Sequence, residues 1–277
     1  MKGKLYLVAT PIGNLDDITL RAINTLKTVD LIAAEDTRHT LKLLNHLGIS
    51  KPLISYYKEV ENKKVEIIID KILEGKNVAV VSDAGTPAIS DPGEEVVRLA
   101  IEEGIDIVPI PGPVAAISGL ICSGFNTKEF VFLGFLPVNK KEREEILEDI
   151  KLEKRTIILY EAPHKLRTTL EDVEKILGNR QIALAREMTK IHEEFIRGSV
   201  ENILKNLGEP RGEYVIALEG SGVDKKELQK ENLNKLSLES HYNFYENQGM
   251  DKKEIIKRIA KDRSKTKNEI YQYFTNK

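Results

Sequence analysis

The chain has 277 residues, 41% apolar and 31% charged, which suits two compact domains or one with an appendage and excludes a disordered chain. Its formal charge of −2 conceals an asymmetry. Residues 224–277 carry 13 Lys/Arg against 9 Asp/Glu, a surplus of four, which leaves the preceding part at −6 and hints at a polyanionic partner for the tail. The single cysteine, Cys122, excludes a disulfide framework and a cysteine-based zinc site, and its apolar helical surroundings predict a packing role. No apolar run approaches the roughly 20 residues that span a bilayer, and the N-terminus runs straight into a strand, so no membrane and a cytoplasmic location are expected.

Residues 5–9 read as a first strand ending in the turn Thr10-Pro11-Ile12-Gly13-Asn14. Apolar residues at Ile18, Ala22, Ile23 and Leu26 set a helical period over 15–26. A strand over 31–34 is closed by Glu35-Asp36-Thr37-Arg38, and a helix over 39–47 ends at Gly48. A strand over 52–56 and a helix over 64–73 follow. Val78-Ala79-Val80-Val81 then has the pattern of a strand buried on both faces. It empties into the turn-rich run Ser82-Asp83-Ala84-Gly85-Thr86-Pro87-Ala88-Ile89-Ser90-Asp91-Pro92-Gly93, and a helical pattern resumes at Glu94. A strand over 105–110 ends in Pro111-Gly112-Pro113.

That alternation predicts a mostly parallel sheet covered by helices. Beyond it come a small-residue helix over 113–123, a strand over 130–135, a highly charged helix over 140–151, a strand over 156–160 and a helix over 164–177. Strands over 181–186, 195–199 and 214–218 suit antiparallel pairing. A boundary near 112–126 gives two α/β domains, 1–113 and 114–220. Ser221-Gly222-Val223 opens a polar linker. Residues 224–277 then read as a helix-turn-helix-like appendage with helical patterns over 236–247, 252–260 and 267–274.

Loops at the ends of buried parallel strands are where α/β folds place ligands. No G-x-x-x-x-G-K-[ST] string is present, which argues against a P-loop hydrolase, and no G-x-S-x-G elbow marks a nucleophile. No G-x-G-x-x-G follows the first strand, so ordinary dinucleotide binding loses its main support. The five histidines are scattered, never at H-x-x-x-H spacing with a third ligand, so no catalytic metal is expected. What is present is a proline and a glycine in the first loop, an acid and two hydroxyls in Ser82-Asp83-Ala84-Gly85-Thr86, and two Pro-Gly pairs. Together these point to a small-molecule crevice.

The strings Leu7-Val8-Ala9-Thr10-Pro11-Ile12-Gly13-Asn14-Leu15-Asp16-Asp17, Ala34-Glu35-Asp36-Thr37-Arg38, Val81-Ser82-Asp83-Ala84-Gly85-Thr86-Pro87 and Pro111-Gly112-Pro113 closely resemble the small-subunit ribosomal RNA methyltransferases of the tetrapyrrole methylase superfamily. The likeness continues in order through Phe132-Leu133-Gly134-Phe135-Leu136-Pro137, Tyr160-Glu161-Ala162-Pro163-His164, Arg186-Glu187-Met188-Thr189-Lys190 and Gly212-Glu213-Tyr214. It covers residues 4–220, and the tail looks like the helical appendage of many members. A corrin-modifying member is expected to carry G-x-G-x-G-D after the first strand, where this chain has Thr10 to Asn14.

The resemblance implies two α/β domains of the tetrapyrrole methylase type with S-adenosylmethionine in the cleft between them, usually as a homodimer and without a metal. Carried over by motif, the cofactor contacts are Thr10, Pro11, Asp83 and Thr86, with Val114, Ala115, Tyr160, Ala217 and Leu218. The implied reaction is methyl transfer to the ribose 2′-hydroxyl of a cytidine in small-subunit (16S) ribosomal RNA, free or in the 30S subunit. An activated sulfonium needs mainly in-line placement of the hydroxyl, helped by a base. Asp36, Glu187 and Lys190 are the candidates, the last only if desolvation lowers its pKa, and a plain ion-pair role accounts for each as well. Arg38, Lys140 and Arg186 are candidate phosphate contacts, with Lys257, Arg258 and Arg263 in the tail, where Tyr271, Tyr273 and Phe274 are expected to be buried. Two other readings stay open: the same crevice serving a small macrocycle or a modified protein residue, and a non-catalytic ribosome-binding protein.

Overall fold

Five short apolar runs build a first sheet: β1 (Lys4–Val8), β2 (Leu31–Ala34), β3 (Leu53–Ser55), β4 (Val78–Val81) and β5 (Asp106–Ile110). This computed structural model describes residues 1–57, 61–223, 230 and 232–275, the side chains of 61–63 excepted. The strand order is β3-β2-β4-β1-β5, and every pairing is parallel. β2 and β4 are buried at all four positions, as a sheet covered on both faces requires.

The pleat then sorts the side chains. Val78 and Val80 turn to one face and pack with Ile68 of α3 (Glu61–Leu73) and Val96 of α4 (Glu94–Glu102). Ala79 and Val81 turn to the other, against Leu26 of α1 (Leu20–Thr28) and Leu44 of α2 (Thr37–His46). β1 therefore leaves toward a helix on one face while its neighbour β4 leaves toward a helix on the other. Adjacent strands whose connections part in this way open a crevice at their carboxyl ends.

A second sheet has the order β6-β7-β10-β8-β9, from β6 (Phe130–Phe135), β7 (Thr156–Glu161), β8 (Gln181–Arg186), β9 (Glu194–Ser199) and β10 (Tyr214–Leu218). Only β6 and β7 run parallel; β10, β8 and β9 pair antiparallel, as their sequence suggests. One face packs Ile157, Leu159, Ile216 and Leu218 against α6 (Lys140–Asp149), α7 (Pro163–Leu177) and α8 (Val200–Asn206). The opposite face offers Ile158, Ala183, Val215 and Ala217 to α5 (Ala115–Ser123). Arg143 and Asp172, nearly buried, join α6 to α7 at 2.7 Å, and the Arg143 guanidinium also donates to the carbonyls of Pro137 and Val138.

Both sheets belong to one compact unit, Met1–Lys151 with Arg155–Glu219. Leu152–Lys154 and Gly220–Lys277 form a second. There the helices Leu238–Glu246, Lys252–Asp262 and Lys267–Thr275 enclose Leu233, Tyr245, Ile255, Ile256, Ile259 and Ile270. No helix among the described residues is long and apolar enough to cross a membrane.

Several local expectations are corrected. The helix expected over 15–26 is a 3-10 turn, Leu15–Asp17, followed by α1, because Ile18 is extended and the Thr19 hydroxyl caps a fresh start at Ala22 N–H. Helix α8 was not anticipated; Ser199 caps it by accepting from Asn202 N–H. Cys122 is exposed, since α5 turns Ala116, Gly119, Leu120 and Ser123 inward and leaves Cys122 on the other side. In the tail the helical period carries Ile270 inward and lays Phe274 on Tyr242, at 4.9 Å between ring centres, but turns Tyr271 and Tyr273 to solvent.

Candidate active site

The loops after β1 and β4 are pinned to each other. Thr10 N–H donates to the Gly85 carbonyl at 2.8 Å and Gly85 N–H returns to Thr10 at 3.0 Å. The Thr10 side chain is buried and donates to Ser82 O at 3.2 Å, so Thr10 fixes the crevice floor from behind. Thr86 reaches across to the Pro113 carbonyl at 3.2 Å, and the Tyr160 hydroxyl accepts the otherwise unpaired Ala116 N–H of the first turn of α5 at 3.0 Å. Burial holds the Tyr160 phenol above its ordinary pKa.

These contacts frame a cavity of about 530 Å³. Its first wall is Asp83, Ala84, Gly85, Thr86, Ile89 and Asp91, with Glu35 from the end of β2. Val114, Ala115, Phe135 and Tyr160 form a second side. Glu187, Met188, Lys190, Glu213, Tyr214 and Val215 close a third. Two of these walls hold strained backbone. Ala88 and Ser90 have φ of 67° each, and Glu187 and Thr189 have φ of 49° and 65°. Left-handed non-glycine residues cost roughly 1–2 kcal/mol each and gather at functional sites. Ser264, in the tail, is the fifth such residue among those described.

Glu187 and Lys190 face each other at 2.9 Å, and Lys190 also meets Glu213 at 3.3 Å. Hydrogen bonding from Lys190 holds the Glu187 carboxyl below its usual value. Burial presses the Lys190 ammonium down, but Glu187 and Glu213 outweigh it, so its pKa is raised rather than lowered. The pair needs two glycines. A side chain at Gly13 would lie 2.5 Å from Lys190 Cγ, and Gly212, at φ 74°, leaves room only for the Glu187 carboxylate.

Of the residues singled out from sequence, Asp83, Thr86, Val114, Ala115, Tyr160, Glu187 and Lys190 line this cavity. Thr10 and Pro11 are not among the lining residues; Thr10 bonds to the lining Gly85, and Pro11 links it to the lining Ile12. Ala217 shares a face of β10 with the lining Val215, whereas Leu218 turns into the opposite core. Asp36 is the N-cap of α2 and accepts from the backbone and guanidinium of Arg38, which hold its carboxyl far below the usual range. Arg186 donates to the Arg211 carbonyl and to Glu194, and Lys140 is exposed on the first turn of α6. In the tail Lys257 and Arg258 are exposed, while Arg263 donates to His241 Nδ1 and to the carbonyls of Leu233, Leu236 and Ser237.

Four lining acids escaped the sequence reading: Glu35, Asp91, Glu161 and Glu213. Glu35 accepts from Asp83 N–H at 3.3 Å, and Asp91 sits beside both. Burial, then the charges of Glu35 and Asp83, raise Asp91 to about 7 against the pull of the Ser82 hydroxyl. The available signal was a second acid in the loop that already held Asp83. No group of three or more His, Cys, Asp or Glu suited to a metal occurs among the described residues.

One parallel and one mixed sheet, both covered by helices, with a cavity at the carboxyl ends of β1 and β4, define an α/β protein with a crevice at its strand ends. A profile for the Tetrapyrrole (Corrin/Porphyrin) Methylases matches residues 4–204, and the chain belongs to that family. Its curated relatives include proteins named ribosomal RNA small subunit methyltransferase I. The one from Halalkalibacterium halodurans is 49% identical over 99% of this chain and 95% of its own length, and that from Bacillus subtilis 46% over 98% and 94%. The one from Thermotoga maritima is 47% identical over 99% of its own length but 79% of this chain, so it is the shorter protein. Among solved structures, the methyltransferase CobJ superposes with a TM-score of 0.61 at 16% identity, over 80% of this chain and 96% of that one. A uroporphyrin-III C-methyl transferase from Thermus thermophilus, complexed with S-adenyl homocysteine, gives 0.56 at 16% identity over 78% and 97%. These likenesses establish the fold.

Proposed function

We propose that the chain is an S-adenosylmethionine-dependent methyltransferase that modifies the ribose 2′-hydroxyl of a cytidine in small-subunit ribosomal RNA. The observation that carries this reading is the cavity between the strand-end loops, walled by carboxylates, in a chain that aligns nearly end to end with proteins named for that substrate class. The cavity suits the cofactor. Its volume falls in the range of small-molecule sites, roughly 300–1,000 Å³. Glu35 and Asp83 complement a sulfonium and an ammonium, while Ile12, Ile89, Val114 and Met188 give apolar surface to the remainder.

Bound there, the cofactor supplies an activated methyl group. The chain's own residues bind and orient. Asp83, Thr86, Val114, Ala115 and Tyr160 hold the cofactor directly, with Thr10, Pro11 and Ala217 as the layer that fixes them, while Leu218 packs in the opposite core. Asp36 and Glu187 are held as ions by Arg38 and Lys190, and we read both pairs as wall and phosphate elements rather than as bases. Lys140, Arg186, Lys257 and Arg258, with Arg38, are the proposed contacts to RNA phosphates, and Arg263 braces the tail. The same reading takes a cytoplasmic homodimer as the working state.

The test is to incubate the protein with methyl-labelled S-adenosylmethionine and either undermethylated small subunits or a corrinoid. Label in RNA alone supports the proposal. Label in the corrinoid alone, or in neither while the cofactor still binds, would move the activity to another acceptor.

A further inference from the structure

Resting on that reading, we propose that Asp91 is the catalytic base, the group that takes the proton of the acceptor hydroxyl as the methyl carbon passes from sulfur to oxygen. The other lining carboxylates are committed. Glu187 accepts from Lys190 and from Glu213 N–H. Glu161 accepts from Ala162 N–H at 2.8 Å and from the Thr169 hydroxyl at 2.6 Å. Asp83 accepts from Asp36 N–H at 2.9 Å, and Glu35 accepts from Asp83 N–H. Among the described residues no basic side chain pairs with Asp91, which accepts from the Ser82 hydroxyl, and it is presented to the cavity by the strained turn through Ala88 and Ser90. A strained loop that turns an acid, paired with no cation among the described residues, toward a cavity is the kind of backbone strain that gathers at functional sites.

The charges around Asp91 also time the transfer. Glu35 faces it from the end of β2, Asp83 from the loop after β4, and Tyr160 from β7. The other ionisable lining groups are Glu161, His164 and the Lys190 cluster with Glu187 and Glu213. With those neighbours Asp91 holds its proton to about pH 7. A sulfonium placed among the three acids favours their ionised forms, so binding it expels the Asp91 proton and creates the base. The acceptor oxygen then gains a bond to the methyl carbon, the carbon–sulfur electron pair stays with sulfur, and the hydroxyl proton passes to the Asp91 carboxylate. Sulfur loses its positive charge in that step, which restores the proton affinity of Asp91 as the proton arrives.

The inference is tested by calorimetry of cofactor binding at pH 7 in buffers of different ionisation enthalpy, with no RNA present. The expected result for the parent is release of about half a proton per S-adenosylmethionine bound, because a group with pKa about 7 is half protonated there, and distinctly less for S-adenosylhomocysteine, whose sulfur is neutral. Asp91→Asn should bind the sulfonium with no proton release. In the transfer assay it should lose at least 100-fold in kcat with little change in the KM for cofactor, and Asp91→Glu should restore part of it. Equal proton release by parent and Asp91→Asn, or unimpaired transfer by Asp91→Asn, would overturn the assignment. Label that fails to reach RNA while Asp91-dependent proton release persists would instead overturn the substrate reading alone.

Discussion

The backbone N–H of Asp36 donates to Asp83 Oδ1 at 2.9 Å, and so ties the N-cap of α2 to the loop that leaves β4. One carboxylate oxygen of Asp83 is thus spent on the scaffold and the group is held facing the cavity. The acid that organises the wall is also the one that fixes its position.

Asp83→Ala removes both roles. It is expected to weaken S-adenosylmethionine binding by about tenfold or more, near 1.4 kcal/mol, while the helical content seen by circular dichroism is retained. Thr86→Arg should block binding by filling the cavity. Cofactor affinity equal to the parent's in both variants would show that the cofactor lies elsewhere.

Gly212→Ala is expected to damage the opposite wall. Its φ of 74° disfavours any side chain, and a methyl there would displace the Glu187 carboxylate and loosen Lys190. Backbone strain of this kind costs roughly 1–2 kcal/mol, readable as a lowered denaturation midpoint. Lower stability should come with weaker cofactor binding; Gly208→Ala, where a side chain meets open space, should change neither.

The pH dependence of stability carries a signed prediction. Asp91 has a folded pKa of about 7 against an ordinary 3.8. Its contribution is therefore fully present below pH 3.8 and is lost as pH rises through 7. Asp91→Asn should match the parent near pH 4 and exceed it at pH 8, by about 1–2 kcal/mol once the screening of a partly exposed group is allowed for. Denaturation curves at the two pH values decide it; a variant less stable at pH 8 would contradict the assigned direction.

The architecture was legible because burial leaves a periodic record. Val78 to Val81 read as a two-faced strand and is one, and the last three strands of the body pair antiparallel as expected. The cavity was legible at its loops, since Asp83, Thr86 and Tyr160 stand in unusual strings. What stayed hidden depends on pairing through space. Asp36 and Glu35 are neighbours in sequence, yet Asp36 turns to cap a helix while Glu35 reaches Asp83. Whether Lys190 sits high or low depends on Glu213, which is 23 residues away. Arg263 reads as a free cation in sequence and is a clamp on three carbonyls in the fold.

That distinction separates the tail's cations. Replacing Lys257 and Arg258 by Gln should lower RNA affinity and reduce the slope of log affinity against log salt by about 2, close to one unit per lost phosphate contact. Arg263→Gln should lower the thermal stability of the helical unit with little direct effect on that slope. The reverse assignment of effects would show that the tail contacts RNA differently.

The central claim is tested most directly by the chemical form of the labelled nucleotide. Methyl-labelled small-subunit RNA, treated with alkali, yields mononucleotides except where a 2′-O-methyl group removes the attacking hydroxyl. The account predicts that the label survives in a single alkali-resistant dinucleotide whose 5′ nucleoside is cytidine. Label recovered in an alkali-released mononucleotide would place the methyl group on a base and contradict it.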